Sequence, residues 1–180
     1  MRIVAGAARG RRLAAPLAPG TRPTSDRARE GLFSSLQSLL DLDGARVLDL
    51  YAGTGALGLE ALSRGAASVS LVEDDPGALR ALRDNVETVG LPGAHVVAAK
   101  VEHFLAAAPE PRYDLALLDP PYEVDVAPAL CALLPWLADD AVVAVERRTR
   151  DGEPAWPPGY APLRSRRYGE ATLWYAARDC

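Results

Sequence analysis

Five apolar runs of strand length recur between Ala45 and Arg147, and a helix-like stretch separates each from the next. The runs are "ARVLDL" (45–50), "ASVSLVE" (67–73), "AHVVAA" (94–99), "YDLALLD" (113–119) and "AVVAVER" (141–147). Between them lie "GALGLEALSRG", "DPGALRALRDNVETVG", "KVEHFLAAA" and "VAPALCALLPWLA". Pro76 near the first turn and Gly90 beyond the last mark one of these as a helix, and Pro135 kinks or ends another. Strands that alternate with helices build a mostly parallel sheet covered on both faces. The tail "YAPLRSRRYGEATLWYAAR" (160–178) has a turn at Tyr168-Gly169 and no helix, so it reads as an antiparallel hairpin and brings the sheet to seven strands. Upstream, "SDRAREGLFSSLQSLL" reads as a helix capped by Ser25 or Asp26, with Ala28, Leu32, Leu36 and Leu39 on one face. "RIVAGAARGRRLAAP" reads as a small β-hairpin or extended arm, joined to the body by the Pro/Gly-rich "APLAPGTRPTSD".

Ligands of doubly wound sheets bind beyond the carboxyl ends of the strands, so the residues that follow each strand carry the functional reading. The first strand runs into "DLYAGTGALG". Gly53, Gly55 and Gly58 allow close approach of a ligand to the backbone and a turn into a helix whose N-terminus favours negative charge. The same spacing also fits a dinucleotide fold. The second strand ends at Glu73, eighteen residues past Gly55, where a carboxylate can accept from the hydroxyls of a ribose. Asp74 or Asp75 can instead cap the helix that follows. After the third strand stand Lys100 and Glu102.

The fourth strand ends in "LLDPPY". Neither proline can continue a strand. The exocyclic amine of a nucleobase is a poor nucleophile, because its lone pair is delocalised into the ring. Acceptors that hold both N–H groups turn that lone pair towards an electrophile. Asp119 supplies one acceptor, and the Pro120 carbonyl, aimed by Pro120 and Pro121, supplies another. Tyr122 offers a flat face for a base to stack on.

Charge is unevenly distributed. Residues 1–29 hold seven arginines and one acid, Asp26, a charge of +6 that leaves −10 on the remainder of a chain with net charge −4. A basic arm on an acidic body points to a polyanionic partner. Lys100 is the only lysine beside nineteen arginines, so the preference for arginine is compositional and only the clustering bears on binding. No apolar stretch reaches the roughly 18 residues of a membrane span. No leader with a cleavage site is visible. Cys131 and Cys180 make neither a disulfide framework nor a metal knuckle, and Cys131 is expected in the core. A reducing cytoplasm, no membrane and no metal are the expectations.

The order "DLYAGTGALGLEALSRGA", "VE", "LLDPPY" resembles class I S-adenosylmethionine-dependent N-methyltransferases. With "RIVAG…GRRL" and "TRPTSDRAREGLFSSL" the whole chain resembles the RsmD family of bacterial 16S ribosomal RNA guanine-N2 methyltransferases. The resemblance implies a Rossmann-like α/β fold with residues 1–23 as an RNA-binding arm and 24–180 as the methyltransferase domain. It implies S-adenosyl-L-methionine held by Asp49, Tyr51, Ala52, Gly53, Thr54, Gly55, Leu57, Glu73, Asp74 and Asp119. Asp119, Pro120, Pro121 and Tyr122 match the catalytic tetrapeptide, and Thr24, Asp26 and Arg27 match the family signature near cofactor and base. Arg9, Arg11, Arg12 and Arg22 are expected on RNA phosphates. The implied partner is 16S ribosomal RNA, within the 30S subunit or its precursor, and a monomer is expected. The other readings are a DNA adenine-N6 or protein glutamine methyltransferase, a nicotinamide dehydrogenase, and an RNA-binding assembly factor without catalysis.

Overall fold

The computed structural model describes residues 1–15, 25–110 and 112–179. Among these, strands β1 (Arg46–Leu50), β2 (Ser68–Glu73), β3 (Ala94–Ala98), β4 (Tyr113–Leu118), β5 (Leu137–Arg148), β6 (Tyr160–Tyr168) and β7 (Ala171–Arg178) form one sheet. Its order is β3-β2-β1-β4-β5-β7-β6. The first five strands are parallel, and β7 runs antiparallel to both β5 and β6. The chain winds outward from β1 to β3 and then crosses back to β4, so the strand order reverses between β1 and β4. A crevice opens at such a point.

Side chains of a strand alternate between its two faces, and both faces here are buried. Val47, Leu71, Leu117 and Ala144 pack under α1 (Asp26–Gln37), α2 (Ala56–Ser63) and α3 (Pro76–Val89). Leu48, Leu50, Val72, Leu118 and Val145 pack under α4 (Val101–Leu105) and α5 (Ala127–Leu133). This two-sided burial explains why the parallel strands read as continuous apolar runs rather than alternating ones.

Local chemistry sets the helix ends. The Ser25 hydroxyl accepts from the Ala28 N–H at 3.1 Å and caps α1. Asp75 does the same for α3 through Ala78, and Gly90 ends that helix in the left-handed region. Pro135 turns the end of α5 into a single 3-10 turn, Leu134–Trp136. Strand β5 begins directly after it, so Leu137 and Ala138 are strand, although the sequence reads them as helix. The C-terminal hairpin reverses over Gly169 and Glu170, with Tyr168 paired to Ala171. Cys131 is exposed, contrary to its expected place in the core. Leu130 and Leu133 occupy the inward stripe of α5, and position 131 falls on the opposite side.

The N-terminal residues form the expected hairpin, with Arg2 bridged to Arg12. It is docked on the body: Ile3, Ala8 and Leu13 are buried. The fully buried Glu60 of α2 accepts the N–H groups of Val4 at 2.9 Å and Ala5 at 3.0 Å. Ser63 accepts the Ala8 N–H and donates to the Ala5 carbonyl. Arg29 is completely buried and donates to the Arg2 carbonyl and to Asp26.

Candidate active site

Register brings the strand ends to one level. Leu50 pairs with Val72 and with Leu118, and Leu118 pairs with Val145. The next residues, Tyr51, Glu73, Asp119 and Glu146, therefore stand side by side along the carboxyl edge. Asp49, Glu73, Asp119 and Glu146 each follow by two a residue packed under α1–α3, so alternation aims all four carboxylates to that face. Tyr51 breaks the alternation. Its φ is +60°, a value uncommon for a bulky side chain, and its ring packs against the opposite cluster. Burial raises the Tyr51 hydroxyl pKa, helped by the charge of Glu102 and opposed by Arg147.

The glycine loop is fastened from three directions. The Ala52 N–H donates to the Val72 carbonyl at 3.0 Å. The Gly53 N–H donates to Glu73 Oε2 at 2.7 Å. The buried Asn85 of α3 donates to the Thr54 carbonyl at 2.9 Å, and its Oδ1 accepts from the Ala14 N–H at 2.7 Å. Asn85 thus ties the end of the N-terminal hairpin to the loop. Gly55 has φ +81°, and a Cβ there would stand 2.4 Å from Leu82 Cδ1, so only glycine fits the turn. Leu57 lies in the core beneath the loop and Ala52 packs against the same cluster.

Glu73 is more engaged than its sequence reading suggests. Oε1 accepts from Asp74 and Asp75 N–H groups at 2.9 and 3.0 Å, and Oε2 accepts from Gly53. A carboxylate offers about four lone-pair positions, so one, on Oε2, is left for a hydroxyl. Asp74 is exposed beside it, and Asp75 is the helix cap. Asp49 is buried and accepts the Gly58 N–H at 2.9 Å. Burial pushes its pKa up to about 7; the Gly58 bond pulls it down and the charge of Glu73 adds to the rise. Lys100 is exposed at the start of α4, and its side chain does not cap the helix.

The "DPPY" tetrapeptide follows β4. Asp119 is held well above the usual carboxylate range, first by burial, then by Glu146 and Asp49, while Arg147 favours its charge. Pro120 is buried; Pro121 and Tyr122 are exposed. Arg147, at the end of β5 and only 9% exposed, donates to the Tyr122 carbonyl at 2.6 Å and the Pro121 carbonyl at 3.4 Å. The Arg148 guanidinium lies 5.1 Å from the Tyr122 ring centroid and pairs with Asp151 at 2.7 Å.

The expected RNA-binding residues are spread out. Arg9, Arg11, Arg12 and Arg27 are exposed. The Arg11 guanidinium reaches the Val89 carbonyl at the C-terminal end of α3. That helix has 14 residues, so its end stands about 20 Å from Asp75 and the carboxyl edge of the sheet. Asp26 faces inward to Arg29 at 2.6 Å and Arg2 at 3.5 Å. Arg22 and Thr24 lie outside the described residues.

Sequence reasoning does not single out Asn85, Glu146 and Arg147. Asn85 interrupts the apolar stripe Leu79, Leu82, Val89 of α3, and a polar residue on a buried stripe is a signal of a specific partner. Glu146 and Arg147 end the fifth strand, where the strand-end rule already points.

The family model described as Conserved hypothetical protein 95 matches residues 1–177. Ribosomal RNA small subunit methyltransferase D of Escherichia coli K12 is 39% identical over 182 residues, covering 99% of this chain and 90% of that one. The protein of the same name from Haemophilus influenzae is 36% identical over 152 residues, covering 81% and 78%. Among solved structures, Escherichia coli yhhF superposes with a TM-score of 0.88 at 35% identity over 99% of this chain and 98% of that one. Thermus thermophilus TTHA0928 gives 0.81 at 36% identity over 97% and 98%. Whole-chain agreement in sequence and fold, with the glycine loop, Glu73 and "DPPY" on one sheet edge, means that the chain belongs to the RsmD family.

Proposed function

We infer that this chain is an S-adenosylmethionine-dependent methyltransferase of small-subunit ribosomal RNA, and we propose that it methylates the exocyclic N2 of a guanine. The observation that carries the reading is the shared register of β1, β2 and β4, which brings Glu73 and Asp119 to one level at the strand-order reversal, with Asp49 two residues back along β1. The relatives' names supply the class of RNA. The acceptor-rich turn after β4 supplies the choice of an amine.

The residues present fit the cofactor. The loop is open at Gly53, where a Cβ would meet no atom within 4 Å and would take up the room against the backbone. Asp49 and Asp119 are carboxylates whose charge is unfavourable in the protein alone, so a cationic ligand relieves them. S-adenosylmethionine supplies an electrophilic methyl on a positively charged sulfur. Glu73 would accept from a ribose hydroxyl through the open position on Oε2, with Asp74 beside it. The loop from Tyr51 to Gly55, and Leu57 below it, would shape the rest of the cradle.

Asp119 and the Pro120 carbonyl would accept the two N–H groups of the amine, orienting its lone pair. As N2 gains its fourth bond its proton becomes acidic, and the Asp119 carboxylate is placed to take it. A carboxyl with a raised pKa is a better base than an ordinary aspartate, provided the pH is high enough to ionise it. Activity should therefore fall as pH drops through that raised value. Tyr122, with Arg148 against its ring, would receive the base. A guanine in structured RNA must leave its stack to reach this turn, which suits a target exposed in the 30S subunit or its precursor. Arg9, Arg11, Arg12 and Arg27, with Arg22, would hold phosphates without reading sequence.

The test uses 30S particles from cells lacking the chain's own gene, methyl-labelled cofactor, and mass analysis of nuclease digests. N2-methylguanosine in 16S RNA is the expected product. Label on adenine, on protein, or on no 16S nucleotide would refute the assignment.

A further inference from the structure

The "DPPY" turn has little of its own to hold it. Pro120 and Pro121 bring no N–H, and the Val124 N–H to the Pro121 carbonyl, at 3.0 Å, is a bond within the turn itself. From β5 the Arg148 guanidinium lies against the Tyr122 ring, and Arg147 reaches the backbone of the turn. Its side chain comes from β5, beside β4 in the sheet, and its two terminal nitrogens reach the carbonyls of Pro121 and Tyr122. A guanidinium is a planar, permanently charged fork; here it is more than nine-tenths buried.

We propose that Arg147 is the positioning residue of the catalytic turn: by binding the Pro121 and Tyr122 carbonyls it fixes the turn with the Pro120 carbonyl and the Asp119 carboxylate directed at the substrate amine. The inference rests on the methyltransferase reading of the site. Arg147 touches neither cofactor nor base and acts through the residues it holds. Among the described residues no hydrogen bond is made to the Pro120 carbonyl, so the fork takes two of the three consecutive carbonyls and leaves the one the chemistry uses.

The same residue has an electrostatic consequence. The groups facing Asp119 are Asp49 from β1 and Glu146 from β5, both opposing its ionisation, and Arg147 from β5, favouring it. Arg147 also favours the ionised form of the Tyr51 hydroxyl against Glu102. Removing its charge leaves two carboxylates and burial acting on Asp119 unopposed, so the pH at which Asp119 ionises moves up. Nothing in a purely structural role for Arg147 requires that shift in a folded protein.

The experiment compares Arg147→Met and Arg147→Lys with wild type on undermethylated 30S particles. Binding of S-adenosylhomocysteine should stay within about threefold in both, since the glycine loop and Glu73 are held by other bonds. Single-turnover methyl transfer should fall roughly 10- to 100-fold in Arg147→Met, and the acid limb of its pH profile should rise by roughly one unit or more. Arg147→Lys keeps the charge and loses the fork, so its acid limb should stay near wild type while its rate falls in between. Wild-type rate and pH limb in Arg147→Met would overturn the proposal; if that variant does not fold, a wild-type rate in Arg147→Lys would overturn it. Carbon-13 titration of the Asp119 carboxyl in the protein alone gives a reading independent of RNA. A midpoint higher in Arg147→Met supports the proposal and an unmoved one overturns it, whereas failure of wild type to methylate 16S RNA refutes only the substrate assignment.

Discussion

Binding of S-adenosylmethionine should release a proton from Asp49, in an amount the site itself sets. Asp49 is 1% exposed, accepts one N–H from Gly58, and is pushed up to about 7. Burial is the first cause, and the Glu73 carboxylate adds to it against the pull of the Gly58 bond. A positively charged ligand in the cradle favours the ionised form. With Asp49 fully ionised in the complex, binding releases about 0.9 proton at pH 6, about half at pH 7 and about 0.1 at pH 8. Calorimetry in buffers of different ionisation enthalpy reads this number directly as a slope. Asp119 is raised too and adds to the wild-type release, so the decisive quantity is the difference between wild type and Asp49→Asn. A variant slope equal to wild type at pH 6 and 7 would refute the reasoning. The same shift links to stability, with a definite sign. The folded value lies above the ordinary aspartate value of 3.8, so the contribution is fully present below about pH 4 and is lost as pH rises through about 7. The loss is at most about 4 kcal/mol, at about 1.4 kcal/mol per unit. Asp49→Asn, which keeps an acceptor for Gly58, should raise the melting midpoint of the ligand-free protein above pH 7 and not at pH 4.

Glu73→Gln keeps one acceptor oxygen, which can serve Gly53 or the Asp74–Asp75 pair but not both; affinity for S-adenosylhomocysteine should fall by about 1.5–3 kcal/mol, and unchanged calorimetric affinity would remove Glu73 from the site. Asn85→Ala should cost roughly 1–3 kcal/mol in denaturant unfolding and weaken cofactor binding as well, because the Thr54 carbonyl loses its donor; a stability loss without any change in cofactor affinity would separate the hairpin from the loop. Replacing Arg9, Arg11 and Arg12 with Gln should flatten the salt dependence of RNA affinity by about 0.7–0.9 for each phosphate that is no longer neutralised, with S-adenosylhomocysteine binding intact. Wild-type RNA affinity at every salt concentration would assign those arginines to solvation of the hairpin alone.

The fold is legible in the sequence because its signals are local. Two-sided strands, a Pro-to-Gly helix and a two-residue hairpin turn are each marked by residues close together in the chain, and handed crossovers leave few ways to connect them. The strand ends are legible for the same reason: a residue that follows a core strand must emerge at the sheet edge. Cys131 is misplaced because its apolar surroundings read as core, and a helix of two turns gives too short a stripe to tell its inward from its outward side. The junction at Leu137 is misplaced because Pro135 ends the helix through a 3-10 turn, which apolar periodicity does not mark.

What stays hidden are polar residues whose partners are remote along the chain. Glu60 serves Val4 from 56 residues away, Asn85 serves Ala14 from 71, and Arg147 serves Tyr122 from 25. Counting charges treats each as surface. The structure places several of them inside: Arg29 is buried against Asp26, and Arg64, stacked on the Phe33 ring, bridges Glu60 to Glu30. Arg29 and Asp26 cancel each other, so the +6 of the N-terminal segment resides on the other six arginines, of which Arg11 is bonded to the body. The acidic side works in the opposite sense. Asp49, Glu73, Asp119 and Glu146 look like four scattered carboxylates, yet each stands two residues beyond a residue of the same core face. Parallel register then gathers them at one edge, where burial and mutual repulsion raise Asp49 and Asp119. Asp49 and Asp119, whose ionised forms burial and neighbouring carboxylates disfavour, are what a cationic methyl donor can relieve and a neutral product relieves less, so the same carboxylates that favour binding also favour release after transfer.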